Sequence, residues 1–192
     1  MKLGTHNSLS YMRCQWWLRP FAWIGRCQSM TIKEQFLYGV RYFDIRVKFV
    51  NGIAKSGHGL LTYDILIDDV LGLLQWYYTK IGKSKEEVIV RLFLENSKRN
   101  PTLYAKEFMM CIEKWKEKYP ELTFVEGGCR YDYKSYIDYN IPVRVCYAEY
   151  WKKKLCIPWP KHWAKKHNKG LHEGDNSRQY SVYDYIQYGV NK

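Results

Sequence analysis

An apolar run from Val88 to Leu94, interrupted only by Arg91, restricts the fold of this chain more than any other feature. A strand that is apolar at nearly every position has to be covered on both faces, which is typical of parallel strands in α/β proteins. Strand-like and helix-like segments alternate around it, with a strand predicted at Val40–Val50 and a helix at Asp64–Lys80. This alternation predicts an α/β protein built on a parallel sheet.

The chain has 192 residues, which favours a single domain over residues 1–192. That length is sufficient to bury a substantial core. A complete barrel of eight strands and eight helices usually needs about 250 residues. A barrel in this chain is therefore expected to be minimal, distorted or incomplete.

Local signals predict where several elements begin and end. A first strand is expected at Met1–Thr5, and a helix is expected to follow the capping box of Thr31 and Glu34 and to stop at Gly39. The remaining predictions are a tight turn at Asn51–Gly52, a helix from Asn100–Pro101 to about Tyr119, an extended piece at Thr123–Val125, a helix at Tyr131–Tyr139, a strand at Pro142–Tyr150, a loop at Lys152–Arg178 and a strand at Gln179–Tyr188.

Three short motifs place ionisable groups at or near predicted strands. They are Gly4-Thr5-His6-Asn7-Ser8, Tyr42-Phe43-Asp44-Ile45-Arg46 and Gly57-His58-Gly59. Histidine can act as a base and as an acid near neutral pH. Arginine can hold a phosphate oxygen pair without losing its charge. Two histidines and an arginine brought together by successive strands would suit the cleavage of a phosphodiester.

The order and spacing of GTHNS, a turn at Gln28–Thr31, GVRYFDIR and GHG resemble the X-region of phosphatidylinositol-specific phospholipase C, of the bacterial type. The resemblance covers about residues 4 to 60 and implies a TIM-barrel-like (β/α) fold. In that family a ring hydroxyl of inositol attacks its own phosphodiester, which gives a cyclic phosphate and releases diacylglycerol. The resemblance implies that His6 is the base and His58 the acid. It also implies that Arg46 stabilises the phosphorane, with Asp44 orienting Arg46 or contacting the reacting hydroxyl.

The chain departs from the bacterial pattern at Asn7, where the family carries an aspartate that supports the second histidine. The calcium-dependent branch of the family carries His-Asn at this point, and carboxylates where Asp44 and Glu95 stand. Its other acidic ligand falls at Arg46, whose positive charge would repel a cation. The expectation is therefore a site with no metal and no other cofactor, in which Asp44 and Glu95 balance Arg46. Calcium, which prefers oxygen ligands, is the alternative.

A second departure concerns an aspartate that bacterial relatives supply late in the chain to orient the base. Either Asp184 or Glu149 has to take its place, or activity is poor. Asp184 also resembles, weakly, an inositol-contacting aspartate. The predicted substrate-binding residues are Asn7, Lys55, Glu95, Glu149 and Asp184.

Two other function classes remain open at this point. One is a barrel that has lost turnover and binds phospholipid or phosphate. The other is a calcium- or magnesium-dependent enzyme similar to glycerophosphodiesterases, which Arg46 argues against because such a site needs an acidic pair. The expected substrate is a phosphoinositide or a related phosphodiester with a neighbouring hydroxyl.

The net charge of +12 favours anionic partners. Lysines and tryptophans are interspersed from Trp151 to Lys169, so this segment is predicted either to contact an anionic membrane surface or to be a solvated loop. No nucleic-acid-binding motif is present, which argues against that class of partner. The oligomeric state is left open.

The six cysteines form no CxxC pair and no Cys/His spacing typical of a zinc site, so they are expected to be reduced and mostly buried. No signal segment precedes the first motif, and no apolar run reaches membrane-spanning length. The chain is therefore expected to be soluble, either cytoplasmic or the mature form of a secreted protein.

Overall fold

The computed structural model of the chain describes residues 2–81, 86–98, 103–127, 143–146, 160–172 and 180–188. Its strands are β1 (Lys2–Thr5), β2 (Val40–Val50), β3 (Ile53–His58), β4 (Leu61–Leu66), β5 (Val88–Leu94), β6 (Leu122–Gly127), β7 (Val143–Val145) and β8 (Tyr180–Tyr183). Its α-helices are α1 (Ala22–Gly25), α2 (Ile32–Leu37), α3 (Ile67–Lys80), α4 (Ala105–Lys118) and α5 (Pro160–His172). Single 3-10 helices span Trp16–Phe21, Glu95–Lys98 and Ile186–Tyr188.

The strands form one sheet in which six run parallel, in the order β7-β8-β1-β2-β5-β6. Strand β2 is long enough to pair with three neighbours. Its first half pairs with β1, its middle with β5, and its last residues with the antiparallel β3, which continues into β4 as a hairpin. Within the described residues no pairing joins β6 to β7, so the sheet curves as an open, distorted barrel.

Every second side chain along the strands points into the barrel, and these side chains fill the interior in layers that start at the amino-terminal ends of the strands. An apolar layer lies deepest, and its members are Tyr42, Ile89, Val125, Tyr180 and Val182. Gly4 belongs to the same layer, because a Cβ atom there would lie 2.9 Å from Val182 Cγ2 and 3.2 Å from Tyr42 Cβ. The glycine of the first motif is thus required by the packing of the barrel interior.

The outward faces of the strands pack against the helices and form the main hydrophobic core. Phe43, Ile45 and Val47 of β2 are fully buried there, together with Leu71 and Leu74 of α3. Since Asp44 and Arg46 alternate with these residues, they point to the opposite side of β2.

Several predicted boundaries are confirmed. Strand β2 has the expected limits, and α2 begins at the capping box of Thr31 and Glu34. The turn at Asn51–Gly52 has positive φ angles of 51° and 77°, as a tight hairpin requires. The long apolar run from Val88 to Leu94 is the fully buried strand β5, which pairs in parallel with β2 and β6.

The prediction of a helix beginning at Asp64 is wrong. Residues Leu61–Leu66 form β4, and α3 begins only at Ile67. Asp64 lies on the hairpin, where its Oδ1 atom is 3.1 Å from Lys55 Nζ. Pairing outweighs the local signal, because Leu61, Thr62 and Leu66 pair with β3 and the backbone N–H of Asp64 donates to the Arg13 carbonyl, which a helix cap would not supply.

The carboxy-terminal part also differs from the expectation. The predicted loop at Lys152–Arg178 contains the helix α5, and the predicted last strand is limited to Tyr180–Tyr183. Of the strand predicted at Pro142–Tyr150, only Val143–Val145 is described as a strand. The predicted helix at Tyr131–Tyr139 lies outside the described residues, as do the helix start at Asn100–Pro101 and the segment Trp151–Trp159.

None of the helices in the described ranges combines the length and the apolar character that crossing a bilayer would require. The prediction of a single domain over residues 1–192 stays a prediction.

The capping box provides a first test of how local signals set this fold. Replacing Thr31 with Ala removes the hydroxyl that accepts a hydrogen bond from Glu34 N at 3.2 Å. We expect the free energy of unfolding to fall by about 1 kcal/mol, measured by urea denaturation. Thr79→Ala in α3 is the matched control, because its hydroxyl only donates to the Trp76 carbonyl of the same helix. An equal loss in both variants would contradict a specific capping role.

Candidate active site

The Asp44 carboxylate is the centre of the polar layer that lies above the apolar layer of the barrel. Its Oδ1 atom lies 2.5 Å from Arg91 Nη1, and its Oδ2 atom accepts from Arg46 Nε at 3.0 Å. Oδ2 also accepts from the backbone N–H of Asn7 at 3.1 Å. One carboxylate therefore ties together the end of β1, the middle of β2 and the middle of β5.

These contacts decide the ionisation of Asp44. Burial alone would raise the pKa of the Asp44 carboxyl, but Arg46 and Arg91 outweigh it and hold that pKa well below its ordinary value. Asp44 is thus an anion at neutral pH. It cannot act as a general acid, and it keeps two guanidinium groups in fixed positions.

His6 follows β1 directly and faces Asp184, which follows β8 directly. Its Nδ1 atom lies 2.7 Å from Asp184 Oδ1. An ionised carboxylate can only accept a hydrogen bond, so Nδ1 carries the proton and the lone pair of neutral His6 lies on Nε2. That Nε2 atom is 3.8 Å from Asp44 Oδ2, on the side of the polar layer. His6 is therefore held in the tautomer that a general base needs.

His58 ends β3 and is oriented by a different kind of partner. Its Nδ1 atom lies 3.2 Å from the carbonyl oxygen of Gly25, at the end of α1. Because a carbonyl only accepts, this contact also places a proton on Nδ1 and leaves Nε2 to exchange protons. The rings of His6 and His58 have centroids 6.2 Å apart and are nearly perpendicular, at 88°. A single bound group can therefore reach both rings.

Glu95 fixes the loop that carries His58. Its Oε1 atom accepts from the backbone N–H of Gly59 at 2.6 Å, and its Oε2 atom is 3.7 Å from Arg46 Nη1. Gly59 has a φ of +60°, and a Cβ on Gly57 would lie 2.6 Å from the Leu61 carbonyl oxygen. The glycines beside His58 are thus required by the backbone of the hairpin turn.

Arg46 lies between the two buried carboxylates of this layer. Besides the hydrogen bond from its Nε, its Nη2 atom is 2.9 Å from Asp44 Oδ2, and its guanidinium carbon lies 4.5 Å from the centre of the Phe93 ring. These contacts hold the guanidinium rigidly beside the histidines. The ion pair predicted from the sequence between Asp44 and Arg46 is present.

The other predicted substrate-binding residues have different surroundings. Asn7 is fully buried with a φ of 44°, and its Nδ2 atom is 4.0 Å from Cys27 Sγ. Lys55 pairs with Asp64 on the hairpin. Asp184 contacts His6 and therefore occupies the position that the sequence left open between Asp184 and Glu149. Glu149 lies outside the described residues.

Sequence reasoning missed Arg91, which is almost completely buried and pairs with Asp44. The signal was available, because Arg91 is the one charged residue in an otherwise apolar strand. It also missed Gln28, whose Nε2 atom donates to the carbonyls of His6 at 3.2 Å and Tyr183 at 2.7 Å. Gln28 thereby joins the ends of β1 and β8 and aligns the residues that follow them.

Cys27, next to Gln28, is a further buried group at this end of the barrel. Burial, and next the negative charge of Asp184, raise the pKa of the Cys27 thiol well above its ordinary value. The thiol is therefore protonated at neutral pH and is a poor nucleophile. No signal in the sequence connects it with His6 and Asp184.

The described site residues gather where the parallel strands end at their carboxyl termini, which is where barrel enzymes carry their active sites. Comparison with solved structures shows the same fold. A mutant of the phosphatidylinositol-specific phospholipase C from Staphylococcus aureus matches with a TM-score of 0.67 and 14% identity, over 100% of this chain and 86% of that chain. The phosphatidylinositol-specific phospholipase C from Listeria monocytogenes matches with a TM-score of 0.61 and 16% identity, over 98% of this chain and 89% of that chain.

Another Staphylococcus aureus structure, from work on membrane binding by its phosphatidylinositol-specific phospholipase C, matches with a TM-score of 0.58 and 14% identity, over 100% of this chain and 87% of that chain. No protein-family model matches the sequence, and no curated protein matches it either. The matches confirm the predicted fold, a mixed α/β sheet with helices arranged as a distorted barrel. At this level of identity they concern the fold alone.

Asp44→Asn tests the electrostatic centre of the site. The variant removes the buried charge that Arg46 and Arg91 share, so we expect the free energy of unfolding at neutral pH to fall by about 3–5 kcal/mol. The folded-state pKa of Asp44 lies below its unfolded value of about 3.9. Its stabilisation is therefore complete above that value and is lost as the pH falls below it.

Urea denaturation from neutral to acidic pH would measure both effects. The free energy of unfolding should fall less on acidification in the variant than in the unmodified chain. Asp64→Asn is the matched control, since Asp64 is exposed and pairs only at the surface with Lys55. An Asp44→Asn protein as stable as the unmodified chain would show that the buried carboxylate does not organise the site.

Proposed function

We propose that this chain is a phosphodiesterase of the phospholipase C type that cleaves phosphatidylinositol or a related phosphodiester. A hydroxyl next to the phosphate attacks the phosphorus and displaces the lipid alkoxide. The observation that carries this proposal is the His6–Asp184 hydrogen bond of 2.7 Å beside a second histidine. It supplies an oriented base and a separate acid at the same end of the barrel.

In the first step His6 Nε2 accepts the proton of the attacking hydroxyl. The positive charge that develops on the ring is stabilised by Asp184, through the hydrogen bond from Nδ1. Asn168 of α5 donates from Nδ2 to the Asp184 carbonyl at 2.8 Å and so fixes the segment that carries this carboxylate. The His6 ring can therefore accept the proton while its position relative to Asp184 stays the same.

In the second step His58 donates a proton from Nε2 to the leaving alkoxide. The Gly25 carbonyl orients the ring through Nδ1, and Glu95 fixes the following residue. We assign the base to His6 because the hydrogen bond from its Nδ1 to Asp184 holds the ring in the tautomer whose Nε2 lone pair can accept a proton.

Arg46 supplies the charge that stabilises the phosphorane. Fixed positive charge at the place where negative charge develops is usually the largest contribution to catalysis. Arg46 is preorganised by Asp44 and Glu95, which would be ligands in a calcium-dependent site. Because the guanidinium lies within 3.7 Å of both carboxylates, these residues do not fit a calcium ion, and no step of the proposed reaction uses one.

The alternative of a barrel that binds phospholipid without turnover depends on the loss of the aspartate that orients the base. The contact between Asp184 and His6 argues against that alternative. A glycerophosphodiesterase-like reaction needs an acidic pair for its metal, and the placement of Arg46 argues against it.

The proposal is tested by incubating the protein with phosphatidylinositol in the presence of a chelator and following cyclic inositol phosphate. His6→Ala and His58→Ala should each lower kcat about 10²–10⁴-fold, because each removes one proton transfer. Asp184→Asn should lower kcat less, since it disturbs the orientation of His6 and keeps the ring. The exposed His162→Ala in α5 is the control and should retain full activity.

Near-normal turnover in His6→Ala or in His58→Ala would exclude the role assigned to that residue. Loss of activity in chelator, with recovery in calcium, would show that the argument from Arg46 is wrong. Circular dichroism of each variant excludes loss of the fold as the cause.

The sequence suggested that Trp151–Lys169 contacts the lipid surface, but we propose that a different segment makes this contact. Trp16 is 72% exposed, Trp17 58%, Phe21 59% and Leu60 64%. We name these four residues the apolar lip. Gln15 joins its two parts, because its side chain bonds to the Leu60 carbonyl and to the backbone N–H of Thr62 at 3.2 and 2.8 Å. The lip borders the site on both sides. The helix that follows Phe21 ends at Gly25, whose carbonyl contacts His58. The hairpin that carries Leu60 also carries His58.

The segment Trp151–Lys169 is described only in part. In its described portion, within α5, Trp163 is half-buried and its ring lies 4.5 Å from that of His167. Trp163 therefore packs against its own helix, whereas Trp16 and Trp17 present most of their surface to solvent.

The double variant Trp16→Ala/Trp17→Ala tests the lip. We expect its partition onto vesicles containing phosphatidylinositol to weaken at least about tenfold, because a loss of about 1.4 kcal/mol of apolar burial is sufficient for that factor. Turnover of a short-chain soluble substrate should be retained. Trp76→Ala in α3, which removes an indole that is 51% exposed, is the matched control. An equal effect of both variants on vesicle binding would show that the apolar lip has no specific role in contacting the lipid surface.

A further inference from the structure

Three groups that commonly bind metal ions converge at the catalytic end of the barrel. His6, Cys27 and Asp184 each offer one ligand atom, and these three atoms lie within 4.8 Å of one another. All three side chains are buried. The three positions are far apart in the sequence, so no ligand spacing could have predicted them. The proposed cleavage makes no use of the Cys27 thiol.

We propose that His6, Cys27 and Asp184 bind a thiophilic divalent cation, with Zn²⁺ as the reference ion, and that the bound ion switches off the catalytic base. The binding of the ion stands on the geometry of the three side chains. The switching of catalysis rests on the proposed function.

The geometry requires only small movements. Zinc binds protein ligands at about 2.0–2.3 Å in a tetrahedral arrangement, which places the ligand atoms roughly 3.3–3.6 Å apart. His6 Nδ1 and Asp184 Oδ1 are now 2.7 Å apart and have to separate slightly. Because no two of the three ligand atoms are more than 4.8 Å apart, Cys27 Sγ has to approach the other two by at most on the order of 1 Å. Three protein ligands leave a fourth position for water.

The charges of the three ligands suit a divalent ion. On binding, the Cys27 thiol gives up its proton to solvent and becomes a thiolate. The thiolate and the Asp184 carboxylate then carry two negative charges, which neutralise the ion beside the positive Arg46. Calcium and magnesium prefer sites made of oxygen ligands, and here only Asp184 supplies oxygen. Sulfur and imidazole ligands favour zinc and chemically similar ions.

The bound ion would act on His6 through its tautomer. In the metal-free site Nδ1 carries the proton that Asp184 accepts, and Nε2 carries the lone pair that accepts a proton from substrate. An ion between Nδ1 and Asp184 uses the Nδ1 lone pair, so the single proton of the neutral ring has to reside on Nε2. That atom then has no lone pair for the attacking hydroxyl, and the base is lost while Arg46 and His58 stay in place.

The binding is tested with Co²⁺, a spectroscopic substitute for zinc, added to the chelator-treated and desalted full chain. We expect one equivalent of Co²⁺ to produce a thiolate-to-cobalt charge-transfer band in the near ultraviolet, and Zn²⁺ to displace it. Cys27→Ser keeps the size of the side chain and should abolish the band. Cys14→Ala is the matched control, since Cys14 is also buried and should leave the band intact. A missing band, or a band of equal strength in Cys27→Ser, would overturn the site.

The switch is tested by turnover of phosphatidylinositol with one to two equivalents of Zn²⁺. We expect at least about a tenfold loss in the unmodified chain and in Cys14→Ala, as removal of a general base predicts, and full retention in Cys27→Ser. Turnover that is unchanged by a Zn²⁺ ion whose binding the displacement of Co²⁺ has shown would overturn the switch. If the chain cleaves no phosphatidylinositol at all, the proposed function fails, whereas the cobalt band still decides the metal site. A cooperative unfolding transition in Cys27→Ser excludes misfolding as the cause of a lost band.

Discussion

The site depends on one buried carboxylate, that of Asp44, which balances two arginines inside the barrel. A buried charge that loses its partner is expensive, so Asp44, Arg46 and Arg91 stabilise the fold only as a complete set. The same carboxylate accepts the Asn7 backbone N–H and so fixes the turn that follows His6. Asp44, which lies in the layer below the histidines, therefore fixes both Arg46 and the turn that follows His6. A guanidinium held in this way needs no reorientation when negative charge develops on a phosphate, which is the condition for effective electrostatic catalysis.

Above this layer, the two histidines are distinguished by their partners rather than by their own chemistry. His6 faces the Asp184 carboxylate and His58 faces the Gly25 carbonyl. Both partners accept a hydrogen bond and therefore place a proton on Nδ1, so that the lone pair of each neutral ring lies on Nε2. In the proposed reaction this difference in partner assigns the two rings to different roles. Asp184, the partner of the proposed base, also lies beside the buried Cys27 thiol, and these groups form the proposed metal site.

Much of this organisation follows from the sequence where the signals are local. The limits of β2, the capping box at Thr31 and the turn at Asn51–Gly52 depend on neighbouring residues and are confirmed. The motifs also predicted that Asp44 pairs with Arg46. What failed depends on contacts between distant segments. The local sequence around Asp64 resembles a helix cap, but this segment pairs with β3 and forms the strand β4. The partnership of Arg91 with Asp44 and the choice of Asp184 for His6 appear only when strands far apart in the chain lie side by side.

The central claim is that a hydroxyl of the substrate itself attacks the phosphorus under the control of His6. It is tested most directly with a phosphatidylinositol analogue in which the ring hydroxyls beside the phosphate are O-methylated, followed by ³¹P NMR. The account predicts a cyclic phosphodiester signal from phosphatidylinositol and no cleavage of the analogue, which should still bind and act as a competitive inhibitor. Release of diacylglycerol from the analogue, with a linear inositol phosphate as the other product, would contradict the account, because water would then be the nucleophile.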